Sequence, residues 1–113
     1  MAGLVAYDQQ RFEDAAIAWQ TAAIRGDAAA ARNLGHMYRW GVGVAEDAGL
    51  AAEWYQRSAD GGLGRAAYNL GVLYRMGGTG LAADQKQSVY WLTQAREMGV
   101  PQASDLLERG VQP

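Results

Sequence analysis

His36 is the one histidine in a chain of 113 residues that has no cysteine, so nucleophilic or acid–base chemistry would have to be built around it. A triad needs a serine as nucleophile and a carboxylate to orient the ring. Ser58 and Ser88 stand where a repeated pattern has small, packed residues, so neither reads as poised for attack. Metal binding lacks donors: there is a single His, no Cys and no acidic loop with EF-hand spacing. Glu13-Asp14 and Glu46-Asp47 read as charges at helix starts, which the helix dipole favours. The stretches GVGV (41–44) and GGTGL (77–81) raise the question of phosphate binding. A phosphate cradle follows a strand and opens a helix, with Lys-Ser/Thr in its P-loop form. Neither stretch has these features, so both read as connectors. No catalytic residue, metal site or cofactor is expected, and the chain reads as non-enzymatic.

The bulk composition narrows the partners. Half of the residues are apolar and the net charge is −2, which supports a core and argues against general attraction to nucleic acid or anionic membrane. Ten residues are basic, all Arg except Lys86. No apolar run approaches the ~20 residues of a spanning helix, so membrane insertion is not expected. The start, MAGLVAYDQQR, lacks the basic beginning and long apolar stretch of an intact signal peptide. As written the chain is expected in the cytoplasm; removal of a leader ahead of it would place it in the periplasm.

The elements that hold these residues come from a repeat. NLGHMYRWG (33–41) returns as NLGVLYRMG (69–77), 36 residues on. One extra residue in the second connector then makes the period 37, so that Asp47 matches Asp84, Trp54 matches Trp91 and Gly62 matches Gly99. Looking back by 36, Ala15, Trp19, Ala22 and Gly26 match Ala51, Tyr55, Ser58 and Gly62. The spacing predicts helices over 28–40, 48–60, 65–76, 85–98 and 102–109, with Asp47 and Asp84 as N-caps, glycines as stops and Pro101 in the first turn of the last helix. The shorter N-terminal unit reads as two helices joined by a tight turn near Gln9 to Arg11. The expectation is an all-α, right-handed α-solenoid of antiparallel helix pairs, about seven helices in all. It forms one domain over 1–113, with a short unit 1–26, units 27–62 and 63–99, and a capping helix 101–110. Stacking is required because one helix pair cannot bury its own apolar face. Gly35 and Gly71 inside helices cost roughly 1 kcal/mol relative to alanine, which points to close approach of a neighbouring helix with a small residue such as Ala51 or Ala15. Tyr38 and Tyr74 read as core anchors, Trp19, Trp54 and Trp91 as packing, and Val44 and Leu81 as apolar plugs.

Leu34, Gly35, Tyr38, Gly41, Gly43, Val44, Asp47, Ala51, Trp54, Tyr55, Ser58, Ala59 and Gly62 form a pattern that resembles the Sel1-like repeat. The second copy is looser, with Gly80, Leu81, Ser88 and Leu92 at the corresponding places. Gly3, Phe12, Ala15, Trp19 and Ala22 resemble the related tetratricopeptide repeat. The resemblance implies an α-solenoid whose first helices line a concave face, and a role in protein–protein contacts, mostly in bacterial signalling and envelope-associated complexes.

Function is then sought in what fails to repeat. Off the packed stripe stand Arg32, His36 and Arg39 in one unit and Tyr68, Val72 and Arg75 in the next, with Trp40 and Met76 ending the two helices. Arg, Tyr, Trp and Met match the composition of interface hot spots. These eight residues are the candidate partner-binding set, with Trp40 and Tyr68 as anchors and the arginines pairing acidic groups. The expected function is an adaptor that holds a segment of another protein in a groove. The alternative is a small bacterial immunity protein that neutralises a toxin by direct binding. Self-association is a further expectation if the chain is one piece of a longer array.

Overall fold

The computed structural model describes the backbone of residues 2–110 and the side chains of residues 9–109. Six helices follow one another: α1 (Ala2–Ile24), α2 (Ala28–Trp40), α3 (Ala48–Asp60), α4 (Gly64–Met76), α5 (Gln85–Glu97) and α6 (Gln102–Gly110). The starts are chemically marked. Asp27, Asp47 and Asp84 each accept a hydrogen bond from the backbone N–H three residues on, at 3.0–3.1 Å, which satisfies one of the free donors at each helix start. The stop after α2 is Gly41, left-handed at φ 67°, with its N–H on the Met37 carbonyl. A residue with a Cβ would be strained there.

The turn expected near Gln9 to Arg11 is absent, as α1 runs through it unbroken. That stretch has no proline or glycine to break a helix, and Gln10 Nε2 donates to Asp14 Oδ1 at 3.0 Å across the expected turn, the i, i+4 spacing of a continuous helix. Glu13 and Asp14 therefore lie mid-helix, and the described residues form six helices where about seven were expected.

Each unit closes by insertion of one side chain into a glycine notch. A Cβ on Gly35 would run into the Tyr55 ring, and one on Gly71 would stand 2.7 Å from Leu92 Cγ. The close approach expected at these glycines is present, but the occupant of the notch is large. Ala51 and Ala15 were the wrong partners because glycine makes room for bulk opposite it. Tyr55 is fully buried and Leu92 nearly so. Ser58 Oγ donates to the Ala28 carbonyl at 2.7 Å and Ser88 Oγ to the Gly71 carbonyl at 2.8 Å, fastening the same helix pairs.

Successive pairs stack through alanines. One cluster runs from α3 to α6 and includes Ala51, Ala52, Ala66, Ala67, Ala95 and Ala103; a second joins α1 to α2 through Ala16, Ala23, Ala30, Ala31, Leu34 and Met37. Tyr38 touches both, and Val44 and Leu81 plug the clusters from the connectors. The molecule measures 47 × 30 × 22 Å with a radius of gyration of 14.9 Å, above the ~13 Å of a compact chain of this length, as a one-dimensional stack requires. Trp91 is buried and Trp54 half-buried, whereas Trp19 is 36% exposed although its counterparts Tyr55 and Leu92 are inside.

Gly35→Ala is expected to destabilise the fold by about 1–3 kcal/mol through overpacking against Tyr55, although alanine is the better helix former by about 1 kcal/mol. Urea denaturation followed by circular dichroism measures it. A neutral or stabilising result would show that the notch is not tight.

Candidate functional site

The α1/α3/α5 side and the α2/α4 side of the stack differ. Clefts of 510 and 580 Å³ lie between α1 and α3 and between α3 and α5. They are lined by residues such as Gln20, Glu53, Asp60 and Lys86, and none of the eight candidate partner-binding residues lines either one. Those eight lie on α2 and α4.

On α2 the structure brings its candidates together. Tyr55 crosses the Gly35 notch and its hydroxyl meets His36 Nδ1 at 2.7 Å, with the rings edge to face at 5.3 Å. The Arg39 guanidinium lies close enough to the Tyr55 hydroxyl to act on it electrostatically. Nδ1 accepts from the Tyr55 hydroxyl in the neutral tautomer whose ring proton is on Nε2, and donates to it in the other. Burial and the flanking charges of Arg32 and Arg39 hold the His36 pKa below its usual value. Burial raises that of Tyr55, with Arg39 and Arg32 opposing. Arg39 further reaches Met76 Sδ at 3.5 Å and lies over the Trp40 ring, 4.8 Å from its centroid. Arg39, Trp40 and Met76 thus form one exposed ridge across the ends of α2 and α4, with Trp40 64% and Met76 66% exposed.

On α4 the candidates are less connected. Tyr68 leans on the α3–α6 core, Val72 is half-buried and Arg75 is exposed. Among the described residues, none of the three joins His36, Arg39 and Tyr55 through a hydrogen bond or ring contact.

Tyr55 is the member that sequence reasoning missed, and a signal for it exists. His36 and Tyr55 occupy the positions of Val72 and Leu92 one repeat later. Both members of the pair are polar in one unit and both apolar in the next, as expected of side chains in contact. His36 is in part an architectural residue that satisfies a buried hydroxyl. A second missed signal is charge: α2 and α4 carry Arg32, Arg39, Arg65 and Arg75 and no Asp or Glu. Ser58 and Ser88 are committed to backbone carbonyls, which leaves His36 without a serine beside it. No helix among the described residues is long and apolar enough to cross a membrane.

Antiparallel helix pairs stacked through small residues, with glycine notches and connector plugs, define an α-solenoid repeat protein. The Sel1 repeat family model matches residues 28–63 and 64–100, so the chain belongs to the Sel1 repeat family, whose fold is a protein–protein interaction scaffold. It is similar to the structure of c5321, a protective antigen of uropathogenic Escherichia coli with an SLR fold, at 30% identity and TM-score 0.77 over 83% of this chain and 20% of that one. It is also similar to a Sel1 repeat protein from Oxalobacter formigenes, at 29% identity and TM-score 0.77 over 96% of this chain and 44% of that one. Helicobacter pylori cysteine rich protein B shares the fold at 19% identity and TM-score 0.73, over 94% of this chain and 93% of that one. The chain thus spans less than half of the length of the first two. No curated protein matches it.

The depressed His36 pKa has a stability consequence. The unfolded chain, with a histidine pKa of about 6.5, binds a proton more readily than the fold does. The His36 contribution is therefore complete above about pH 6.5 and is lost as pH falls through the folded-state value. Thermal melts of wild type are expected to show this loss just below pH 6.5. His36→Val should remove it, since Asp and Glu titrate near pH 4. An identical acid profile in the variant would reject the assignment. In a double-mutant cycle, His36→Val with Tyr55→Leu should be less destabilising than the sum of the single changes, by about 0.5–3 kcal/mol.

Proposed function

We propose that the chain is a non-enzymatic interaction module that docks a segment of another protein on the α2/α4 face. The observation that carries this reading is the exposed Arg39–Trp40–Met76 ridge. A tryptophan and a methionine two-thirds exposed and joined by an arginine match the residue types that concentrate binding energy. The repeat does not require them, since Trp40 and Met76 differ at one and the same position of the unit. The family's scaffold role supports the same reading.

A photo-reactive amino acid at Trp40 or Met76, introduced in the native host, should yield a discrete cross-linked adduct with a partner protein. The same probe at Tyr90, on α5, should not. Adducts from Tyr90 alone would move the docking surface to the α3/α5 clefts and overturn the proposal. Trp40→Ala with Arg75→Ala should abolish the adduct from Met76 and change stability by no more than about 0.5 kcal/mol, as for exposed positions.

A further inference from the structure

Charge is segregated in this fold. The chain holds twelve acidic and ten basic residues, yet α2 and α4 contain four arginines and no acid. Among the described residues, none of the four forms an ion pair. Arg32 is half-buried and has its Nε buried with no hydrogen-bond partner. Such a group gains more from an incoming anion than a fully hydrated one does. Arg32 and Arg39 lie seven residues apart, about 10.5 Å along the helix, and His36 stands between them. An extended chain lines one face with residues i, i+2 and i+4, about 7 Å apart, so acidic residues alternating along one face of a segment come within reach of the two long arginine side chains, with the apolar ridge of Trp40 and Met76 at one end.

We propose that the α2/α4 face recognises an acidic segment of its partner protein, with carboxylates on Arg32 and Arg39 and at least one of them beside His36. This rests on the docking reading above and adds the chemistry of the partner. Carboxylate is favoured over a nucleic acid backbone because the cationic strip is short and the chain as a whole is negative.

The single histidine makes the test direct. In untagged protein, the only histidine ring signals in the proton NMR spectrum are those of His36. Hexaglutamate should raise its titration midpoint by about one unit, because a carboxylate a few ångströms away favours the charged ring. Hexaglutamine should leave it unmoved, as should the octanucleotide dT8. Arg32→Gln with Arg39→Gln, checked for folding by circular dichroism, should abolish the hexaglutamate effect and weaken binding at least about tenfold. Arg32→Lys with Arg39→Lys should retain part of it, and Arg57→Gln with Arg96→Gln, on α3 and α5, all of it. Equal effects from hexaglutamine, a response to dT8 alone, or loss in the α3/α5 variant would each overturn the proposal. So would the absence of any hexaglutamate effect. In that case persistent cross-links from Trp40 would leave the docking reading standing, whereas their loss would remove both.

Discussion

The structure depends on a glycine in the middle of a helix. Gly35 and Gly71 remove a side chain so that Tyr55 and Leu92 can occupy the space. The local propensity loss of roughly 1 kcal/mol is offset because burying a side chain of that size contributes about 1.5–3 kcal/mol. Everything else in a unit follows from this contact. The serine hydroxyls bond to backbone carbonyls of the facing helix because the notch brings the two backbones close. The connectors can be short, with a glycine stop and an aspartate start, because the helices they join are already locked side by side.

The same contact links architecture to surface. Tyr55 fills the notch with its ring and delivers its hydroxyl to His36. The second unit uses leucine and valine at these two places and delivers nothing. One repeat is therefore purely apolar at this position, while in the other the packing residue also fixes His36. Arg39 is held by Met76 and the Trp40 ring together. An arginine ordered in advance loses less conformational entropy when a ligand arrives. Pre-ordering and unpaired charge on one short face are what the docking proposal rests on.

Much of this was legible in the sequence. The 36/37 spacing, the aspartate caps, the glycine stops and the connector plugs Val44 and Leu81 all rest on local chemistry, and the helices start and stop within a residue or so of where they were expected. The N-terminal turn was misplaced because the repeat pattern was extended into a stretch that contains no breaker; local propensity won there. The occupant of the notch was misjudged for a different reason. A glycine announces that space is needed but not which residue of the facing helix will fill it. That depends on the rotation of one helix against the other.

Of the candidate site, the sequence by itself determined the membership of α2 and α4 and the positions at which the units differ. These are properties of order along the chain, and a repeat makes them visible by comparison with itself. Tertiary structure alone decided which of those residues meet. Arg39 reaches Met76 across 37 positions, and Tyr55 reaches His36 across 19, while Tyr68 turns to the core. Distances between helices are set by side-chain volume at the notch, which no single residue encodes, and so the pairing that builds the surface emerges only once the stack has closed.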